Sequence, residues 1–436
     1  MSIDRRRFAC PSLTRPMVTK DGCLARLAPL TAALNADDLA ELAAIVQTHG
    51  NGLVEVTRRG NLKCRGFAKK DDDTYRPLLG RFPGQEGSRF PISIDPVGVL
   101  SGDTATLVKA LYAQLHLKLR ELDATYALAP KLSLVISAGG GLGYENMTGD
   151  IHLRCEPSRI HIGLGRAHLG TQWYGYVLDV GAAVEAVVVL MEAIAEAGPL
   201  ARARDVADAA VPALRVQPGQ PIFCTARRVG EYLEMGAQQS AQILHVPMGR
   251  IDVTMLESLS DICRLHSLSV WPIPARALLI TGQQVSKAAA ALTAIGLSDD
   301  AKSSLTAIDA CVGSNGCPRS RLDTFACARR LSAMLAPFGG QVSAHISGCP
   351  KSCARDKSAA ITLVGREDDD QVRCVFGGTP REQPDFTFSS MAEVWPLLNG
   401  VISVLRREGK DVANPECWHT AAKQLLAEKG ESAVVS

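Results

Sequence analysis

Two stretches of this chain follow one plan. Residues 35–66 read as a helix and then an extended run: Asn35 suits an N-cap, Leu39, Leu42, Ala43 and Val46 recur at helical spacing, and Gly50 closes the helix. LVEVTRRGNLKCRGF (53–67) then alternates apolar and polar residues as a strand does. RIDVTMLESLSDICRLHSLSVWPIPARALLITGQ (250–283) repeats the plan: Leu39 and Leu42 fall on Leu256 and Leu259, Arg59 on Arg276 and Leu62 on Leu279, an offset of 217 each time. A duplicated helix-and-strand unit must bury two equivalent apolar faces, which points to an internally duplicated α+β fold.

Each copy precedes a larger region. Residues 76–240 carry the strand-like KLSLVIS (131–137) and RIHIGLG (159–165), a Gly-rich GGGLG (139–143) and an Ala/Val-rich helix near 181–197. Residues 291–436 carry AITLVG (360–365) and a helix near 391–407. The segment EAGPLARARDVADAAVPA (196–213) reads equally as a linker or as an Ala-rich helix.

With 436 residues, 46% of them hydrophobic, the chain can bury more than one core, and length alone suggests about three domains. Lys plus Arg (47) nearly cancels Asp plus Glu (45), so no global field favours nucleic acid or an anionic membrane. The start, MSIDRRRFACPSL, lacks the apolar core of a signal peptide, and no window approaches about 18 uninterrupted apolar residues, so a cytoplasmic protein without a membrane anchor is expected. Thirteen cysteines in that compartment point to metal or redox chemistry for any clustered subset rather than to disulfides.

Four of them form such a subset. CVGSNGC (311–317) gives Cys311-x5-Cys317, and after 31 intervening residues GCPKSC (348–353) gives Cys349-x3-Cys353. Zinc sites of four cysteines usually take closer pairs, whereas wide, unequal gaps let the backbone wrap a 4Fe-4S cluster. Gly313, Gly316 and Gly348 allow backbone N–H groups to approach the sulfurs. Zinc, or four ordinary buried thiols, are the alternatives. Cys327 falls within an apparent helix, FACARRLSAML, and is left out.

Paired cysteines of this spacing in a duplicated chain resemble the nitrite and sulfite reductase superfamily. Within it, CPSLTRPMVTKDGCLARL (10–27), HGNGLVEVTRRGNLKCRGF (49–67) and HISGCPKSCAR (345–355) resemble the precorrin-3B synthase family. The resemblance implies a first ferredoxin-like half domain over 1–75, a first α+β core domain over 76–240, a second half domain over 241–290 and a 4Fe-4S domain over 291–436. It also implies an oxygen-dependent monooxygenase of aerobic cobalamin biosynthesis, which hydroxylates precorrin-3A at C20 with γ-lactone formation. O2, NADH or a reductase as electron donor, and a mononuclear non-haem iron are implied with it. A sirohaem-dependent nitrite or sulfite reductase, or a non-enzymatic iron–sulfur electron carrier, are the competing readings.

Candidate substrate contacts follow from charge. Arg59, Asn61, Lys63 and Arg65 share one face of the 53–67 run if it continues as a single strand, and such a cationic face suits the carboxylates of an anionic tetrapyrrole. The bland reading is a solvated sheet face. Arg59 and Lys131 match anion- and tetrapyrrole-binding positions of the superfamily, and Arg276 is the second copy's counterpart of Arg59. The chain departs from the sirohaem reductases at Ser133, where a second lysine is typical, and at Lys351, where asparagine is commoner. FPISIDPVGVLSG (90–102) also lacks the arginine usually found there. His161, His168 and His345 are read as ordinary histidines, no catalytic residue is assigned, and GGGLG lacks the spacing of a dinucleotide motif.

Overall fold

The computed structural model describes residues 11–68, 75–85, 90–100, 102–126, 128–166, 170–235, 240–355 and 357–429. His168, read above as an ordinary histidine, lies outside these, as does Cys10, the first residue of the 10–27 run. The chain forms two compact units. Of the described residues, the first comprises 11–17, Leu24–Val246 and Ile251–Asp299, and the second 300–429 with the short segments Val18–Cys23 and Pro247–Arg250.

In the first unit the duplication is visible to the residue. Helices Ala36–His49 and Val253–His266 keep the offset of 217 at both ends. Their caps correspond as well: the Asn35 side chain accepts from the Asp38 N–H (2.9 Å), Asp38 reciprocates on the Asn35 N–H (2.8 Å), and Asp252 accepts from the Met255 N–H (2.9 Å). The helices pack on one another, Leu39, Leu42 and Val46 are buried on the first and Leu256, Leu259 and Cys263 on the second, and Ser260 Oγ donates to the Ala36 carbonyl (2.7 Å).

The 53–67 run is not one strand. Leu53–Val56 and Leu62–Phe67 pair antiparallel, with Val54 opposite Cys64, Glu55 opposite Lys63 and Val56 opposite Leu62. Gly60 lies at φ +71°, and an added Cβ would stand 2.8 Å from the Ile273 backbone, so the turn both reverses and presses close to the second copy. That copy has the matching hairpin, Ser269–Ile273 with Ala277–Gly282. The copies exchange backbone bonds: Leu34 and Val270 bond each other in both directions (2.8 Å each), Val253 N–H reaches the Gly52 carbonyl (3.1 Å), and Ala275 N–H reaches the Arg58 carbonyl (2.9 Å). Residues 58 and 275 correspond at the repeat offset, as contacts across an approximate twofold require.

The larger regions are duplicated too. In the first unit Ile92–Ile94, Leu134–Ser137, Ile151–Glu156, Arg159–Gly165 and Thr171–Val177 form one sheet in that order, paired parallel, parallel, antiparallel, antiparallel. In the second, Ile308–Ala310, Ala344–Ser347, Ala359–Val364, Val372–Gly378 and Phe386–Phe388 repeat order and sense. Helices Gly102–Thr125 and Val180–Glu196 accompany the first sheet, Thr324–Leu335 and Met391–Glu408 the second. One face of the first sheet buries Leu134, Ile136, Ile151, Leu153, Ile160 and Ile162 completely, each worth roughly 1.5–3 kcal/mol. Asp95 follows the first strand of its sheet as Cys311 follows the first strand of the other.

The opposite face of the first sheet is polar yet buried, with Ser137, His152, Arg154 and His161 each under 5% exposed. Arg154 pairs with Glu145 (3.4 Å), and His161 Nε2 lies 3.3 Å from Glu156. The 196–213 segment contains the helix Ala203–Ala210, and residues 222–228 then run exposed without regular structure. Ile222 is fixed there through its main chain: its N–H donates to Glu156 Oε1 (3.0 Å) and its carbonyl accepts from Arg154 Nη2 (2.8 Å), while its side chain is 74% exposed. No helix among the described residues is long and apolar enough to cross a membrane.

Two buried groups on this sheet pull stability in opposite directions with pH. Burial, then the neighbouring Glu145 carboxylate, pushes Asp95 up to about 6, despite N–H bonds from Gly140, Val97 and Ala138. Burial, then Arg59, pushes His152 down to about 4. Below pH 6.5 the unfolded His152 takes up its proton before the folded one does, so its contribution is complete above 6.5 and is lost as pH falls towards 4. Asp95 acts inversely, favouring the folded state at the low end of that range. Urea denaturation across pH should therefore show His152→Gln gaining on the wild type by on the order of 3 kcal/mol between pH 6.5 and 4. A constant difference would show that His152 is not held neutral.

Candidate functional site

The second unit brings the two cysteine pairs to one sheet edge. Ile308–Ala310 and Ala344–Ser347 run parallel with Ala310 opposite Ile346, so the loops that follow them leave from the same end. Cys311 starts the first loop and Cys349 lies one residue into the second. Carboxyl ends of adjacent parallel strands are where open α/β sheets gather their ligands.

Backbone N–H groups converge on Cys311. Gly348 N–H lies 3.1 Å from its sulfur, and Cys311 N–H is bonded to the Ile346 carbonyl (3.2 Å). Burial pushes the Cys311 thiol up, N–H groups of Gly348 and Gly313 pull it back, and the neighbouring Cys353 and Cys349 sulfurs raise it again, so three of the four sulfurs share one electrostatic environment. A tight turn over Gly313–Asn315 brings the chain round to Cys317, whose N–H is bonded to the Gly313 carbonyl (2.9 Å). Cys311, Cys317 and Cys349 are half-buried and Cys353 is exposed, whereas Cys327 is buried in the helix Thr324–Leu335.

Among the described residues no three His, Cys, Asp or Glu side chains converge as ligands of a single ion would. A cuboidal cluster asks for less convergence, because each thiolate holds a different iron. Four cysteines on two adjoining loops, with N–H groups directed at a sulfur, fit a 4Fe-4S cluster. The mononuclear iron implied by the resemblance finds no donor set among the described residues, and no step is assigned to it.

Beside the cysteines lies an open cleft of about 720 Å³, lined by Cys349, Lys351 and Cys353 together with Arg319, Arg373 and Arg381. Arg319 and Arg381 come from separate loops and Arg373 from the strand Val372–Gly378, and nothing in their spacing along the chain singles them out.

The proposed cationic face divides into two groups. Lys63 pairs with Glu55 across the hairpin (3.3 Å) and Arg65 lies 3.9 Å from the same carboxylate. Burial raises Glu55, but Lys63, Arg65 and Arg276 outweigh it and hold the carboxyl below its usual range. Arg59, in the turn, instead donates from Nη2 to Ser133 Oγ (3.3 Å) and stands close enough to depress His152. Asn61 is buried, and its Oδ1 has no partner among the described residues. Lys131 is exposed ahead of the strand Leu134–Ser137. Glu55 was readable in principle, as a lone acid in an apolar strand opposite a lysine. His152 carries no such signal.

Gly348 is the tightest point of the cysteine loops. An added Cβ would lie 2.3 Å from Ser320 Oγ and 3.5 Å from Cys311 Sγ. Gly348→Ala should cost about 1–3 kcal/mol in chemical denaturation through overpacking. An unshifted midpoint would mean that Ser320 can move aside.

No family model matches the chain. It is 28% identical over 373 residues to the precorrin-3B synthase of a Sinorhizobium species, covering 83% of this chain and 81% of that protein. Among solved structures it matches the NirA protein of Mycobacterium tuberculosis with a TM-score of 0.66 and 17% identity, over 87% of this chain and 80% of that one. The chain therefore shares the mixed α/β fold of NirA and resembles precorrin-3B synthase in sequence.

Proposed function

We propose that this chain is an oxygen-dependent monooxygenase that converts precorrin-3A to precorrin-3B, hydroxylating C20 with γ-lactone formation in aerobic cobalamin biosynthesis. The observation that carries the reading is a cysteine-bearing sheet edge in a chain similar over 83% of its length to a precorrin-3B synthase. In this reading the segments 1–75, 76–240, 241–290 and 291–436 are the two ferredoxin-like half domains and the core domain that follows each.

Cys311, Cys317, Cys349 and Cys353 would hold the 4Fe-4S cluster, which when bound supplies a store of single electrons. The rest of the work falls to binding and orientation. Arg59, Asn61, Lys63, Arg65, Lys131 and Arg276 are the residues proposed to meet the substrate. Lys63, Arg65 and Arg276 act together on one carboxylate, Glu55, and so mark a cationic cluster suited to an anionic tetrapyrrole. A guanidinium fork at Arg59 orients a carboxylate as well as attracting it. Asn61, with a buried amide oxygen to satisfy, is suited to accept a bond from a ring N–H. NADH is the proposed ultimate source of electrons, through a separate reductase.

A sirohaem-dependent nitrite or sulfite reductase is the second reading, favoured by the likeness of fold to NirA. Anaerobically purified protein separates the two, since sharp isobacteriochlorin bands would select the reductase and broad cluster absorption the synthase. Incubation with precorrin-3A, O2 and a reducing system should then give a product heavier by one oxygen. Cys349→Ser should remove the cluster absorption and the activity together, because one iron loses its thiolate. Arg59→Ala should leave the absorption intact and weaken precorrin binding by about 1.5–3 kcal/mol. Unchanged affinity takes Arg59 out of the site.

A further inference from the structure

We propose that Arg202 and Asp150 are positioning residues that aim the Arg59 guanidinium at a substrate carboxylate through Ser133. The inference rests on the reading of Arg59 as a substrate contact and adds the groups that hold it in place. It also gives a task to the 196–213 segment, which the sequence leaves open as linker or helix.

The relay is a chain of hydrogen bonds within the first unit. Arg59 Nη2 donates to Ser133 Oγ (3.3 Å), and the Ser133 N–H donates to Asp150 Oδ2 (3.0 Å). Arg202 closes on that carboxylate with both arms of its fork, Nε to Oδ1 (2.8 Å) and Nη2 to Oδ2 (2.7 Å).

The middle of the relay has no freedom to turn. Each oxygen of Asp150 accepts twice, because the Ala203 N–H joins Arg202 on Oδ1 (3.3 Å) while Ser133 joins it on Oδ2, so the carboxylate is saturated. Ser133 is pinned at its carbonyl as well, by the N–H groups of Asp150 (2.9 Å) and Ile151 (3.3 Å). Ser133 is 1% and Asp150 3% exposed, and water does not compete for these bonds. Arg202 is itself fixed ahead of the helix Ala203–Ala210, where its N–H donates to Asp205 (2.8 Å).

Arg59 gains from such a hold. Its main chain is set by the turn, with its N–H donating to Thr57 Oγ1 (3.3 Å), but its guanidinium ends a long side chain rich in rotamers. Fixing one nitrogen before a ligand arrives removes part of the ordering cost of binding. His152 marks the same neighbourhood: burial and then Arg59 hold its pKa low, and Asp150 pulls it up. A buried ion pair returns little net stability once its desolvation is counted, so what Arg202 and Asp150 supply is a fixed geometry.

The test is a double-mutant cycle on the anaerobically purified full chain, with uroporphyrin, a tetrapyrrole octacarboxylate, as the probe in fluorescence titrations. Arg59→Ala and Arg202→Gln should each weaken uroporphyrin binding about tenfold. In the Arg59→Ala background, Arg202→Gln should change the affinity by less than about twofold, because the group that it positions is gone. Equal weakening in both backgrounds is the mark of a merely structural role and overturns the proposal, as does an Arg202→Gln variant that binds like the wild type. Ser133→Ala removes the hydroxyl and leaves the Arg202–Asp150 pair in place, so it should reproduce the loss, and it completes the cycle if Arg202→Gln does not fold. Wild-type affinity in Ser133→Ala also overturns the relay. Uroporphyrin binding that is absent from the wild type, or untouched by Arg59→Ala, removes Arg59 from the site and the relay with it. A wild type that binds uroporphyrin yet leaves precorrin-3A unconverted refutes the monooxygenase reading instead, and the cycle still decides the relay.

Discussion

The cysteine chemistry depends on two short strands lying side by side in the same direction. Because Ala310 faces Ile346 in a parallel pair, the residues that follow each strand emerge at one edge, and cysteines 38 positions apart in the chain become neighbours. An antiparallel pairing would send the two loops to opposite ends. Strand order thus does for this site what a short ligand spacing does for a zinc finger, and it explains how such widely separated pairs can serve one centre.

The duplication adds a contrast. Both sheets have the same order and sense, so the first unit owns an edge equivalent to the one that carries the cysteines. There the position of Cys311 is taken by Asp95, which turns its carboxylate onto main-chain N–H groups of its own loops. The glycines of GGGLG, which lack the spacing of a dinucleotide motif, admit the Arg154 guanidinium and the passing chain near Thr225. One copy of the edge has been closed by protein and the other kept open.

Much of this was legible before any coordinates. The two helices announced themselves through apolar residues at a common offset, the first also through its Asn35 and Gly50 caps, and the cysteine pairs through spacing. The hairpin was not, because the alternation of LVEVTRRGNLKCRGF continues through its own turn, and only the left-handed conformation at Gly60 breaks it. For the same reason the charged ladder was read as one uniform face. Glu55, brought opposite Lys63 by the reversal, draws Lys63, Arg65 and Arg276 to itself and leaves Arg59 to Ser133. The cations of the cleft were invisible because they are scattered from 319 to 381 and meet only once loops and the strand Val372–Gly378 are folded together.

The way Ile222 is fastened has a consequence for how this chain can vary over time. Arg154 and Glu156 grip its peptide groups and ignore its side chain. The route of that crossing is thereby conserved by residues some 70 positions earlier, while the identity of residue 222 is free to drift. Only proline, lacking the amide hydrogen that Glu156 engages, is barred from the position.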